Sequence, residues 1–158
     1  MGDLKVKYFS ESQEKLIEDI NVLLEILQQE DNKEIKILYE EFLDDIYENI
    51  YTSKEVKNIL TTLYYSLTII RENIDKNINI RKDCLFIEDS EDVSLAEELI
   101  NGIIISSRNE HEFKKLKYYG YLLGNMMFKE DLSRDECNRL IRISRNLSYC
   151  QIKLINMY

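Results

Sequence analysis

A chain of 158 residues is long enough for one domain to bury a core without disulfides or metal staples. Three widely spaced cysteines with no Cys-x-x-Cys exclude a disulfide framework and read as reduced thiols acting as small hydrophobes, and the longest uncharged stretch, residues 58–70, falls short of the ~18 residues of a membrane-spanning helix. The net charge of −9 is unevenly spread, with 14 acids and 5 bases in residues 1–50 (net −9), 10 and 6 in residues 51–100 (net −4), and 6 and 10 in residues 101–158 (net +4), a polarity that steers partners or lets copies of the chain meet head to tail.

The chain has no proline and only four glycines, where ordinary usage gives about 8 prolines at this length. This near-absence of helix breakers predicts an all-α domain. Helix starts are marked by an acceptor side chain followed three residues later by Glu or Gln, the spacing of a capping box: Ser10 with Gln13, Asp31 with Glu34, Thr52 with Glu55, Ser133 with Glu136 and Ser148 with Gln151. The first helix is expected over 11–29, with Leu16, Ile20, Leu23, Leu24 and Leu27 inward. The second, over 32–51, buries Ile35, Leu38, Phe42, Leu43, Ile46 and Ile50 and turns Glu40, Glu41, Asp44, Asp45 and Glu48 outward. The third, over 53–75, buries Val56, Leu60, Leu63, Leu67, Ile70 and Ile74. These spacings of three and four set apolar residues on one stripe.

Residues 76–91 break the periodicity and read as a linking loop rich in Asn and Asp, in which Cys84-Leu85-Phe86-Ile87 is either a short extended piece or a plug on the core. A fourth helix is expected over 92–107, burying Leu95, Ala96, Leu99, Ile103 and Ile104. A fifth, over 110–128, carries Phe113, Leu116, Tyr119, Leu123, Met126 and Met127 on its inner face. The sixth, over 134–146, presents Cys137, Leu140, Ile141 and Ile143, and a short last helix after Ser148 presents Ile152, Leu154 and Ile155.

Chemistry is sparse in this pattern. His111 is the only histidine, so neither a His-Glu-x-x-His zinc site nor the paired Glu-x-x-His of a di-iron bundle is available. The acidic run at 88–92 lacks the glycine that a calcium-binding loop needs. There is no Gly-x-Ser-x-Gly elbow and no phosphate-binding loop. We therefore assign no catalytic, metal or cofactor residues and expect no cofactor. Gly120 and Gly124, four apart within a helix, each cost about 1 kcal/mol of helix propensity relative to alanine. They point to a close approach by a neighbouring helix or by a second copy. Arg139, Arg142 and Arg145 recur every third residue, and the pair of helices around 129–133 has the order of a helix-turn-helix, though Asp135 and Glu136 open the second helix.

From Glu112 the chain runs through Lys115-Leu116-Lys117-Tyr118-Tyr119-Gly120-Tyr121-Leu122-Leu123-Gly124-Asn125, then Ser133-Arg134-Asp135-Glu136, then Leu147-Ser148-Tyr149-Cys150-Gln151. This stretch resembles the C-terminal helical module of a bacterial and prophage family with no assigned activity. In that family a Lys-x-Lys-Tyr-Tyr-x-x-Leu-Leu-x-Asn helix precedes a helix opening with Ser and then a Leu-Ser/Thr-Tyr-x-Gln turn. The resemblance implies a cytoplasmic helical protein and carries over no functional residues.

The expectation is thus an all-α, single-domain bundle over residues 1–158 with six to seven helices, mostly in antiparallel pairs: acidic N-terminal helices (10–75), the loop (76–91) and a C-terminal helical module (92–158). The start of the chain has no charged segment followed by an apolar run, and the expected location is cytoplasmic, with no membrane span. The leading functional expectation is a non-enzymatic interaction or regulatory module that binds a protein partner or a second copy as a homodimer, through Tyr118, Gly120, Tyr121, Gly124 and the tyrosines of the C-terminal helices. The alternatives are a nucleic-acid-linked regulator using Arg139, Arg142 and Arg145, and an acidic inhibitor that mimics nucleic acid with Glu40, Glu41, Asp44, Asp45 and Glu48.

Overall fold

The computed structural model describes residues 9–27, 32–49, 51–88 and 92–155. Among them seven α-helices follow in order: α1 (Glu11–Ile26), α2 (Lys33–Glu48), α3 (Ser53–Asp75), α4 (Leu95–Arg108), α5 (Leu116–Met126), α6 (Arg134–Asn146) and α7 (Tyr149–Ile155). One turn of 3-10 helix, Phe113–Lys115, leads into α5. The described residues form no strand, only an isolated antiparallel bridge between Glu88 and Ser94. The fold is all-α around one hydrophobic core.

The expected capping boxes form at Ser10, Thr52, Ser133 and Ser148. Each satisfies backbone N–H groups that the first helical turn leaves unpaired. Asp31 lies outside the described residues, and Asn32 precedes α2 without a side-chain cap. The fourth helix starts later than expected, at Leu95, on a box the sequence reading missed: Ser94 with Glu97. Asp92 has φ 57° and Val93 follows it outside the helix, so helical backbone begins only after Ser94. At the other end of the loop, α3 stops on Asn77 at φ 58°. The Ile78 N–H reaches Asn73 O at 2.9 Å and the Asn77 N–H reaches Ile74 O at 2.8 Å, the paired bonds of a left-handed C-cap with asparagine in the place glycine usually takes.

The 23-residue α3 is the axis of the bundle and packs against α1, α4 and α5. Ile59, Leu60, Leu63, Leu67 and Ile70 are fully buried on it, and so are the polar Asn58, Thr62 and Ser66. Because α3 is enclosed on most sides, its buried residues exceed a single stripe. Tyr39 joins the core from α2; Ser66 Oγ donates to Leu63 O, so the Tyr39 hydroxyl donates to Ser66 Oγ at 2.6 Å. Burial pushes the Tyr39 hydroxyl far above the ordinary tyrosine pKa.

α5 lies closest to α3, and the two glycines are the reason. A Cβ on Gly120 would stand 2.6 Å from both Thr62 O and Tyr65 Cβ; one on Gly124 would stand 2.7 Å from Ser66 O. The close approach inferred from their spacing is therefore made within the chain.

The connection from α3 to α4 is anchored, and the plug alternative applies to it. Ile80, Arg81 and Leu85 are buried, whereas Ile87 is exposed. The Arg81 N–H donates to Met127 O at 3.0 Å and the Ala96 N–H to Leu85 O at 2.8 Å. The Arg81 guanidinium grips the Asp83 carboxylate, donating from Nε at 2.8 Å, and reaches Leu132 O at 2.9 Å. This partner holds the Asp83 carboxyl below its usual range.

Several expected core residues are not core. Phe113 is 52% exposed, because the 3-10 turn takes it out of the helical phase of α5. Ile143 also faces outward. Leu154 and Ile155 are 58% and 61% exposed, because α7 is only seven residues long and has no buried residue. Ile50 lies outside the described residues. The cysteines are free, with Cys137 buried and Cys84 and Cys150 exposed, so only Cys137 serves as a small core hydrophobe.

Candidate functional site

Seating α5 on α3 brings the tyrosines of both helices together. Tyr65 of α3 meets Tyr121 of α5 at 5.8 Å between ring centroids; Tyr121 meets Tyr118 at 6.3 Å; Tyr118 meets Tyr149, at the start of α7, at 6.0 Å. Tyr64 extends the row on α3, 5.4 Å from Tyr65. Most of these contacts are edge-to-face, the arrangement the ring quadrupoles favour. α7 is held there by Glu112, whose Oε2 accepts the Tyr149 N–H at 2.8 Å.

Lysines lie over the rings. Lys117 Nζ is 5.8 Å from the Tyr118 centroid and 5.6 Å from that of Tyr121. Lys114 and Lys153 stand 5.5 and 5.9 Å from Tyr149, and Lys57 stands 5.3 Å from Phe113. Each such contact contributes about 0.5–1 kcal/mol at an exposed site. Among the described residues none of these four lysines has a carboxylate within ion-pair distance. Tyr65, Phe113, Tyr118 and Tyr149, with Lys114 and Lys117, line a cleft of about 190 Å³. The result is a basic aromatic face on a chain whose net charge is −9.

Behind this face sits a buried polar cluster. Asn58 Nδ2 donates to Ser107 O and Glu110 O, both at 3.0 Å, fixing the turn after α4. Glu110 then points inward. Its Oε2 accepts from Tyr119 OH at 2.8 Å and pairs with Lys115 Nζ at 2.8 Å; its Oε1 accepts the Glu112 N–H at 2.9 Å. The Glu110 and Lys115 side chains are only 6% and 4% exposed. Lys115 Nζ also reaches Arg145 O at 3.3 Å, tying α5 to the end of α6. Burial by itself raises the Glu110 carboxyl, but the bonds from Lys115, the Glu112 N–H and Tyr119 together outweigh it and hold the pKa below its ordinary value. The Tyr119 hydroxyl is pushed well up by burial and by its bond to Glu110. The cluster borders a cavity of about 380 Å³. His111, at the rim, is exposed, with Nδ1 3.5 Å from Glu110 Oε1.

The other sequence candidates stand apart. Gly120 and Gly124 are buried against α3, and Tyr118 and Tyr121 beside them are both half-buried. Arg139, Arg142 and Arg145 are exposed on α6, a helix that packs mainly on α4. Glu40, Glu41, Asp44, Asp45 and Glu48 are exposed on α2, where Lys36 meets Glu40 at 3.6 Å. Among the described residues no group of three or more His, Cys, Asp or Glu is placed to hold a metal ion, and no helix is long and apolar enough to cross a membrane.

Sequence reasoning missed Tyr65, Phe113 and the lysines of the face. The signal lay in Lys117, Tyr118 and Tyr121, whose spacings of three and four put them side by side on one helix, with Lys114 in the turn before it. No protein-family model, curated protein or solved structure matches the chain.

Proposed function

We propose that the chain is a non-enzymatic docking module that holds an acidic protein surface on the tyrosine–lysine face of α3, α5 and α7. The observation that carries this reading is the set of four lysines over aromatic rings, none with a carboxylate within ion-pair distance among the described residues. In a chain with 30 acids and 21 bases, such a cluster is an unpaired charge that a partner completes. Tyrosines supply large contact area at low entropic cost, and aromatic residues are enriched in protein interfaces. The arginine row of α6 supports the nucleic-acid alternative less well, because it has no stacking surface and Glu136 stands beside Arg139. The resemblance to a cytoplasmic bacterial or prophage helical family belongs to the same proposal.

The face is tested by tyrosine fluorescence, which is uncluttered because the chain has 11 tyrosines and no tryptophan. At low salt, poly-glutamate is expected to change the emission saturably and more tightly than an oligo-dT strand. Salt weakens the binding by screening, and Lys114→Gln/Lys117→Gln weakens it by about tenfold or more. An unchanged response in that variant, or a preference for oligo-dT, contradicts the proposal.

A further inference from the structure

We propose that the occupant of the tyrosine–lysine face is α2 of a second copy of this chain. This rests on the docking reading above and adds the identity of the partner. The outward side of α2 carries Ile37, Glu41, Asp44 and Glu48 along its centre, with Glu40, Asp45 and Tyr47 at its margins, since residues three, four and seven apart share a helix face. Ile37 and Tyr47 are 44% and 46% exposed. Ile37 set among carboxylates suits a surface made of rings and ammonium groups, and the Tyr47 ring at the margin already meets Phe9 at 5.3 Å between centroids.

Among the described residues each surface has more charge than its neighbours offset. The five carboxylates of α2 meet a single ammonium among the described residues, that of Lys36, and the four lysines of the other face meet none. Carboxylates four residues apart on α2, as in Glu40, Asp44 and Glu48, rise about 6 Å per step, and the lysines over Tyr118, Tyr121 and Tyr149 supply the ammonium groups for such a row to meet, as an amphipathic helix in a groove. Because the two surfaces differ, the contact either closes as a reciprocal pair or continues from copy to copy.

The test uses charge-reversed chains in sedimentation velocity at low salt, with circular dichroism confirming that each is folded. One variant is Glu41→Lys/Asp44→Lys; the other is Lys114→Glu/Lys117→Glu. Wild type is expected to assemble, and each variant alone to do so with a dissociation constant raised about tenfold or more. An equimolar mixture of the two variants is expected to assemble again, because every contact then pairs opposite charges. Wild type that stays monomeric, variants that assemble as wild type does, a mixture that does not recover, or displacement of self-assembly by oligo-dT overturns the inference. Poly-glutamate binding to the α2 variant, whose lysine face is intact, separates the two levels: if it persists while wild type stays monomeric, the docking face stands and the second copy is not its occupant, and if it is absent, the docking reading falls with the inference.

Discussion

Gly120→Ala is expected to destabilise the fold by about 3 kcal/mol, and Gly124→Ala by a comparable amount, near the upper end of what overpacking a well-packed core costs. At an exposed helical position the same change stabilises by about 1 kcal/mol, because alanine is the better helix former. Here the added methyl has no room. At position 120 it meets the Thr62 carbonyl oxygen and the Tyr65 Cβ at 2.6 Å, and at position 124 it meets the Ser66 carbonyl oxygen at 2.7 Å. These neighbours are backbone and Cβ atoms of α3, which cannot swing aside as the tip of a long side chain can. Relief requires α5 to lift from the axis of the bundle, which also parts Tyr121 from Tyr65. Urea unfolding followed by circular dichroism reads the loss. A neutral or stabilising result for both variants contradicts the packing of α5 on α3.

Lys115→Met is expected to destabilise by about 3 kcal/mol or more at neutral pH, because it leaves a buried carboxylate without its counter-charge. Glu110→Gln leaves the converse, a buried ammonium held by Arg145 O. The double variant Glu110→Gln/Lys115→Met removes both charges, so it costs less than the sum of the single changes. The pair also sets a pH dependence. The Glu110 pKa is depressed in the folded chain, so between the folded value and the unfolded value of about 4.3 the unfolded chain binds the extra proton. Its stabilisation is complete above the unfolded pKa and is lost as the pH falls through the lower folded one. Urea midpoints measured downward from pH 6 therefore fall in wild type, and Glu110→Gln lacks this component of the fall. Additive single and double variants, or parallel pH profiles, contradict the pairing.

How much of this was legible in the sequence depended on how local the determinant is. Both ends of α3 were, because Thr52 with Glu55 caps one and the break at Asn77 ends the other within a few residues. The start of α4 was placed three residues early, at Asp92, because the box of Ser94 with Glu97 directly behind the acidic run was not read. The glycines of α5 announced a close neighbour but not which one, since a missing side chain specifies a distance and carries no address. Phe113 was placed inward by spacing, which assumes helical phase; the 3-10 turn ahead of α5 breaks that phase and exposes it. The Glu110–Lys115–Tyr119 cluster depends on that same turn and on Asn58, 52 residues away from Glu110 in sequence, so no local pattern revealed it. The expected apolar face of the last helix failed for a different reason: three apolar residues on a seven-residue helix suggest burial, yet α7 docks through Tyr149 and half-buries Ile152 while leaving Leu154 and Ile155 outside. Tyr118 and Tyr121 were chosen from sequence for their place beside the glycines, and the structure adds the lysines over their rings and the α3 tyrosine that completes the row.

The tyrosine–lysine face is tested most directly by zero-length carbodiimide cross-linking of an equal mixture of unlabelled and nitrogen-15-labelled chains, read by mass spectrometry of the linked peptides. Amide bonds joining Lys114 or Lys117 of one isotopic form to Asp44 or Glu48 of the other are the expected result, since only that contact brings these ammonium and carboxylate groups together between copies. Mixed-isotope links that avoid Lys114 and Lys117, or a complete absence of mixed-isotope links at concentrations where wild type sediments as an assembly, contradict it.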